Sequence, residues 1–160
     1  MSEATLQGLT VRRAQRTDLP RLLELLADDT LGRNREGVGS DDPAYIRAFD
    51  AIDRDPNQLL LLAELDGRVV GMLQVTYIPG LSRRGAWRAN IEAVRVDSSV
   101  RRRGIGGWLM GRALDNARKR GCRLVQLTSD RQRSEAHRFY ERHGFKDSHI
   151  GYKLSLEAPE

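Results

Sequence analysis

The chain has 160 residues, of which 39% are hydrophobic and 31% are charged, and its net charge is +5. This length predicts one domain whose core is large enough to be stable without metal ions or disulfide bonds. The single cysteine, Cys122, excludes an internal disulfide, and no apolar run has the length of a transmembrane helix or a signal peptide. We therefore expect a cytoplasmic protein with no membrane partner.

The basic charge is compatible with a nucleic-acid partner, but its distribution argues against one. Arginines are scattered from Arg12 to Arg142 among acidic residues, and only 6% of the residues are aromatic. Surfaces that bind nucleic acid usually carry clustered basic residues, and those that stack bases need aromatic side chains. The same arginines would suit a cleft for a polyanionic cofactor.

Hydrophobic periodicity and turn residues divide the chain into alternating elements. They are a flexible tail over 1–8, a strand over 9–12, a helix that begins with Thr17 as its cap, a loop over 30–42, a helix over 43–53, strands over 59–64, 69–78 and 87–96, a helix over 105–120, a strand over 122–128, a helix over 134–142 and strand material from Phe145 onward. Asp66-Gly67 predicts a tight hairpin, hence antiparallel strands around it. The helix over 105–120 is a crossover, so the strands on either side of it should be parallel. We predict one α/β domain over 9–155 with a mixed sheet and about four helices.

The segment after Val96 is the most specific part of the sequence. A strand leads into an arginine–glycine turn, which consists of Arg101, Arg102, Arg103, Gly104, Ile105, Gly106 and Gly107, and a helix begins at once. The glycines let a ligand approach the backbone. The first N–H groups of the helix lack partners within it, and the helix dipole adds partial positive charge. The turn therefore predicts a phosphate or pyrophosphate site.

Two other phosphate-binding loops do not match this turn. A Walker A loop needs lysine and then serine or threonine after its last glycine, whereas Gly107 and Trp108 follow Gly106 here. A dinucleotide-binding loop needs a third glycine where this chain has Leu109, and it belongs to a parallel sheet. The antiparallel strands predicted before the turn do not fit that fold.

On these residues the chain resembles the GCN5-related N-acetyltransferases, the GNAT family. The best-known segment of the family reads Arg/Gln-x-x-Gly-x-Gly/Ala, and residues 101–106 match it at every specified position. A later family segment has an aromatic pair followed by Gly-Phe, and residues 139–145 match it. The resemblance covers about 9–155. It implies an α+β fold whose mixed, mostly antiparallel sheet has a central parallel pair splayed around acetyl-CoA.

The resemblance also implies which residues bind acetyl-CoA and what reaction follows. The pantetheine arm would lie along Val94, Arg95 and Val96, with the backbone groups of the two valines as hydrogen-bond partners, and the arginine–glycine turn would bind the pyrophosphate. The reaction would be acetyl transfer to a primary amine, of a small molecule or of a protein. A homodimer is compatible with the family.

Acetyl transfer to an amine needs a base for the ammonium proton and an acid for the departing thiolate. Glu92 is our candidate base, because it lies on the predicted strand before the turn and alternation places it on one face with Asn90 and Val94. A structural salt bridge is the competing interpretation. Tyr140 is the candidate acid, because the matching family tyrosine points at the thioester sulfur. Its alternative role is core packing against Phe139.

One position departs from the family pattern, and two kinds of site are not predicted. Family members often have asparagine seven residues before the tyrosine, where this chain has Arg133, so that asparagine role is not carried over. The three histidines and Cys122 have no metal-ligand spacing, and we predict no metal.

The acceptor is not defined by the sequence. The expected acceptor site consists of the loop over 30–42, the second helix and the loop over 79–87. Residues that could attract an amine are Asp28, Asp29, Glu36, Asp41 and Asp42, and those that could attract an anion are Arg33, Arg35, Arg83 and Arg84. A non-catalytic module that senses acetyl-CoA is the alternative function.

Overall fold

The computed structural model describes residues 6–28, 39 and 41–156. They form two compact units, divided between Leu127 and Thr128. The strands of the first unit are β1 (Leu9–Arg13), β2 (Gln58–Leu65), β3 (Arg68–Ile78), β4 (Arg88–Val96) and β5 (Leu124–Leu127), its helices are α1 (Leu19–Ala27), α2 (Pro43–Arg54) and α3 (Ile105–Lys119), and its short turns are Arg16–Asp18, Ser82–Gly85 and Ser98–Val100. The second unit contains helix α4 (Ser134–Arg142).

The five strands form one sheet in the order β1-β2-β3-β4-β5. Adjacent strands are antiparallel except β4 and β5, which are parallel. The hairpin between β2 and β3 turns at Asp66 and Gly67, whose φ angles of 50° and 78° are those of the predicted tight turn. The predicted fold class, a mixed and mostly antiparallel sheet with one parallel pair, is confirmed.

Helix α3 covers one face of the sheet. Its Leu109, Met110 and Ala113 are fully buried, and the facing strand residues Leu73 and Val75 are buried as well. The helix lies close to the sheet at Gly71, where an added Cβ atom would be 3.5 Å from Leu109 Cδ2 and 3.3 Å from the Arg95 carbonyl oxygen. The crossover helix of the βαβ unit is thereby anchored just behind the arginine–glycine turn.

Helices α1 and α2 cover part of the opposite face. Leu60, Leu62 and Met72 point to this face and belong to one buried cluster with Leu22 of α1 and Phe49 of α2. Further along the same strands the residues become polar. Register places the polar side chains Gln58, Thr76, Asn90 and Gln126 in one row across β2, β3, β4 and β5. This face is therefore apolar under the helices and polar beyond them.

Two predictions of local structure are wrong. Thr17 does not cap α1 but lies within a short turn, where the neighbouring Asp18 carboxylate accepts the Gln15 N–H (2.7 Å) and binds Arg12 (2.7 Å). Residues 145–156 form no strand, and Ile150, Tyr152, Leu154 and Leu156 are 68–93% exposed. Alternating apolar residues have the spacing of a strand, but a strand also needs a partner for its backbone groups. Residues 1–5, 29–38 and 40, in the predicted tail and loop, lie outside the described residues.

Candidate acetyl-coenzyme A and amine site

Strand β4 changes its pairing half-way along. Residues 88–91 pair with β3 on one side and with β5 on the other, whereas residues 92–96 pair only with β3 among the described strands. A bulge lies at the same place, because Gln74 of β3 is opposite Glu92 while Met72 is opposite Arg95. Ala93, within the bulge, has a φ of 51°. A bulge bends a strand, and β5 ends at Leu127, opposite Ile91, while β4 continues past it. We call this place at Glu92, where β4 extends beyond the end of β5, the fork.

The bulge changes which residues share a face with Glu92. Asn90 and Glu92 lie on one face, as alternation predicts. Met72 and Gln74 of β3 share a face, so their partners Arg95 and Glu92 share one too. The prediction that Val94 lies on that face is wrong, because the extra residue in the bulge reverses the alternation.

The carbonyl groups predicted to bind pantetheine are accessible to side chains. The Val94 carbonyl oxygen accepts a hydrogen bond from Arg95 Nη1 (2.9 Å), and the Val96 carbonyl oxygen accepts one from Arg101 Nε (3.0 Å). A pantetheine amide that donated to either carbonyl oxygen would therefore displace the guanidinium group bound there or share the oxygen with it.

The arginine–glycine turn has the backbone geometry of an anion site. Gly104 is the N-terminal cap of α3 and has a left-handed φ of 82°, and the helix begins at Ile105 as predicted. No side chain of the described residues caps the helix at Gly104, so its first N–H groups are not covered by a capping oxygen. Arg102 and Arg103 are exposed beside it.

Arg101 is held by the first helix and does not extend freely into solvent. Its Nη2 donates to the Asp28 carbonyl oxygen (2.7 Å) and contacts the Asp28 carboxylate (3.3 Å). The same carboxylate accepts the Ser98 N–H (2.7 Å). Asp28 thus links the end of α1 to the start of the arginine–glycine turn.

Asp97 is the most buried acidic residue at the site, and sequence reasoning missed it. Its carboxylate binds Arg21 and Arg68 (2.8 Å), and it accepts the Ser99 N–H (2.9 Å) and hydroxyl (2.5 Å). Burial disfavours the charged form, but the hydrogen bonds from Ser99 and Arg21 outweigh burial and lower the pKa of Asp97 to about 2. The signal in the sequence was a lone aspartate followed by two serines at a strand end, which is the pattern of a turn-capping carboxylate.

Glu92 lies at the mouth of the fork. Its side chain is exposed, and none of the described residues forms an ion pair or side-chain hydrogen bond with it. Its neighbour across the strand, Gln74, instead donates to Gln58 (2.9 Å). The competing interpretation, a structural salt bridge, therefore has no support among these residues.

In the second unit, Tyr140 belongs to an aromatic cluster. Its ring centroid lies 5.3 Å from that of Phe139 and 5.9 Å from that of Phe145, both edge-to-face. The Phe145 N–H donates to the Tyr140 carbonyl oxygen (3.1 Å), and Gly144 has a left-handed φ of 87°. The Gly-Phe pair thus ends α4 and places Phe145 against Tyr140. The half-buried tyrosine has packing contacts, and its role as acid stays a prediction.

The sequence profile of the Acetyltransferase (GNAT) family matches residues 19–145. The chain belongs to the GNAT family. It is 34% identical over 113 residues to an aminoalkylphosphonate N-acetyltransferase of Salmonella typhimurium, covering 71% of this chain and 73% of that protein. It is 30% identical to a glucosamine 6-phosphate N-acetyltransferase of Trypanosoma brucei brucei, covering 92% and 96%. A solved structure from Bacillus halodurans, described as a transcriptional regulator, has a TM-score of 0.87 at 47% identity, with 92% and 99% covered.

GNAT proteins use acetyl-CoA, and the residues of the first unit fit it. The left-handed glycine before α3 and the exposed arginines suit a pyrophosphate, and the open edge of β4 suits a chain with amide groups. Within the described residues, no three His, Cys, Asp or Glu side chains are grouped to hold a metal ion. No helix in the same part of the chain is long and apolar enough to span a membrane.

Only part of the expected acceptor site can be described for this GNAT protein. Asp29, Arg33, Arg35 and Glu36 lie outside the described residues. Asp28 is engaged with Ser98 and Arg101, and the Asp42 carboxylate caps α2 through the Ala44 N–H (2.7 Å). These two aspartates therefore have structural contacts.

Proposed function

We propose that the protein is an N-acetyltransferase that uses acetyl-CoA and the primary amine of a small molecule. The observation that carries the proposal is the exposed Glu92 carboxylate at the mouth of the fork, without an ion pair among the described residues. The two relatives named as N-acetyltransferases carry names of small amines, which supports a small acceptor over a protein lysine.

In the proposed mechanism, the chain positions the cofactor and moves two protons. Bound acetyl-CoA supplies an activated acetyl thioester. Backbone groups of Val94 and Val96 hold the pantetheine arm, and the arginine–glycine turn holds the pyrophosphate. Glu92 accepts a proton from the acceptor ammonium, directly or through a water molecule, because only a neutral amine has a lone pair for attack. As the amine nitrogen bonds to the acetyl carbon and the carbon–sulfur bond breaks, Tyr140 gives its phenol proton to the departing sulfur and regains a proton from that nitrogen.

Thiol release from acetyl-CoA with a panel of small amines tests this function. We expect Glu92→Gln to lower kcat about 100-fold or more, as loss of a general base does. Tyr140→Phe should also lower kcat, while acetyl-CoA still raises the melting temperature of both variants.

Matched controls separate the chemistry from the fold. Glu141→Gln removes another exposed carboxylate, and Tyr152→Phe removes the hydroxyl of a tyrosine that is 90% exposed. Both should keep the activity of the unmodified protein. The mechanism is contradicted if Glu92→Gln and Tyr140→Phe behave like these controls.

A regulatory role is the second candidate, because the Bacillus halodurans structure is described as a transcriptional regulator. A gel-shift titration with DNA at low salt tests it, since nucleic-acid binding weakens steeply as salt rises. Salt-sensitive DNA binding, together with acetyl-CoA binding and no thiol release with any amine, would favour this candidate.

A further inference from the structure

A cavity of about 180 Å³ lies at the start of β4, beside the polar part of the sheet face. It has room for roughly six water molecules at about 30 Å³ each. Its lining contains three arginines and no acidic residue, and it consists of Ser82, Arg83, Ala86, Trp87, Arg88, Arg123 and Leu124. The lining therefore favours an anion.

Arg88 is the residue of this cavity whose hydrogen bonding is incomplete. Its Nε atom is buried and has no hydrogen-bond partner among the described residues. Several other arginines of the first unit bind carboxylates, as Arg12 binds Asp18 and Arg21 binds Asp97. A buried N–H without a partner is costly and rare in native proteins, and a ligand is one explanation for it.

The turn at Ser82–Gly85 presents Arg83 to the cavity in an unusual backbone conformation. Arg83 and Arg84 have left-handed φ angles of 54° and 62°, and Gly85 follows with 74°. Left-handed backbone is unfavourable for residues with a Cβ atom, and it is concentrated at sites where ligands bind. Only Arg83 of the two arginines lines the cavity.

Arg88 and Glu92 lie on the same face of β4, with Asn90 between them. Glu92 is four residues after Arg88 along the strand, which is about 13 Å between Cα atoms. The surface between them is polar, because Asn90 Oδ1 accepts from Gln126 Nε2 (3.4 Å) and Thr76 Oγ1 bonds Gln58 Oε1 (3.0 Å). A molecule along this surface would meet a cation at one end and a carboxylate at the other.

We infer that Arg88, with Arg83 and Arg123, binds a phosphate or phosphonate group carried by the amine acceptor, while the amine faces Glu92. This inference rests on the proposed function. A planar guanidinium donates two parallel hydrogen bonds to two oxygens of such a group. A cluster of several cations suits the charge of a phosphate or phosphonate better than the charge of a single carboxylate. The opposite charges at the two ends fix the direction in which the acceptor lies.

Paired acceptors test the inference by kinetics. The pairs are 2-aminoethylphosphonate with ethylamine, O-phosphoethanolamine with ethanolamine, and glucosamine 6-phosphate with glucosamine. In at least one pair, we expect the phosphorus-containing member to have a kcat/KM at least tenfold higher than its partner, mainly through a lower KM. The pair with this difference shows whether the protein prefers a phosphonate, a phosphorylated amino alcohol or a phosphorylated amino sugar. Arg88→Gln should reduce this preference to about one and leave kcat/KM for the neutral member within threefold. An absent preference, or an equal loss for both members, overturns the inference.

Three further variants sharpen the test. Arg84→Gln changes an arginine in the same turn that does not line the cavity, so it should keep the preference. Arg83→Gln should lower it, which keeps the inference testable if Arg88→Gln does not fold. Arg88→Lys, which retains the charge but not the planar fork, should fall between the unmodified protein and Arg88→Gln.

A binding measurement separates failure of this inference from failure of the proposed function. CoA at saturating concentration fills the pyrophosphate site, and the melting temperature is then followed as 2-aminoethylphosphonate or inorganic phosphate is added. A rise that Arg88→Gln abolishes and Arg84→Gln keeps supports the anion site even if no amine is acetylated. No rise in the unmodified protein, or the same rise in Arg88→Gln, overturns the inference.

Discussion

The two ends of β4 both have arginines beside them, but the surroundings of these arginines differ. At the C-terminal end, Asp97 binds Arg21 and Arg68, and its side chain is only 8% exposed. At the N-terminal end, Arg88 lines a cavity without any acidic residue in its lining. Among the described residues, carboxylates neutralise the first arginine cluster, and no carboxylate lines the cavity of the second.

This difference indicates which charges stabilise the fold and which are available to a ligand. A carboxylate held by two arginines and two serine hydrogen bonds fixes the junction between β4 and the arginine–glycine turn. An arginine whose Nε is buried without a described partner costs stability, and an anion could supply the missing partner.

Asp97→Asn should produce the largest change in stability. The substitution keeps the shape of the side chain but removes the carboxylate that Arg21 and Arg68 share, which leaves Arg21 with Glu24 alone. We therefore expect the free energy of unfolding to fall by about 2–3 kcal/mol. Urea denaturation measures it.

Two variants serve as controls for this loss. Asp115→Asn removes an exposed partner of Arg118, and such a pair contributes less than about 1 kcal/mol. Arg88→Gln should not lower stability, since no described residue bonds to the Arg88 side chain. Equal losses at Asp97 and Asp115, or a large loss at Arg88, would remove the contrast between the two ends of β4.

The pH dependence of stability should show the same contrast with a smaller effect. The pKa of Asp97 falls from 3.8 to about 2 on folding. A carboxyl group whose pKa is lowered by folding stabilises the folded state at pH values above its unfolded pKa. This contribution is lost as the pH falls from about 4 to about 2. It amounts to about 2 kcal/mol. The difference in unfolding free energy between the unmodified protein and Asp97→Asn should therefore shrink across this range, and a constant difference would contradict the assignment.

Ala93→Gly should have the smallest effect, at the bulge that separates the two ends. Glycine relieves the left-handed strain of Ala93, about 1–2 kcal/mol, and loses about 0.5–1 kcal/mol of backbone entropy on folding. We expect a slight rise in melting temperature. Ala89→Gly, in the regular part of β4, should instead lower the melting temperature by destabilising the protein by about 1 kcal/mol. A loss at Ala93 as large as at Ala89 would argue against the bulge.

The fold and the cofactor turn could be predicted because their signals are local. The Asp66-Gly67 pair fixes a hairpin, and the glycines of residues 101–107 fix a strand-to-helix turn, so both follow from a few adjacent residues. Helix α3 begins at the predicted residue for the same reason.

The features that the sequence did not predict depend on contacts between distant residues. The bulge at Ala93 exists only in relation to β3, and β4 itself contains no glycine or proline that would indicate it. The partners of Asp97 are Arg21 and Arg68, which are 76 and 29 residues away in sequence. Residues 145–156 form no strand for the same reason, because the alternation of their apolar residues does not show whether a neighbouring strand pairs with them.

The change of pairing along β4 also bears on whether another chain could add a strand to this sheet. Among the described strands, residues 92–96 pair on one side only, and an exposed sheet edge is a template on which another chain can add a strand and start aggregation. The bulge at Ala93 twists this edge and breaks its regular spacing of N–H and C=O groups. The irregularity that shapes the fork thereby makes it a poor match for a regular β-strand from another molecule.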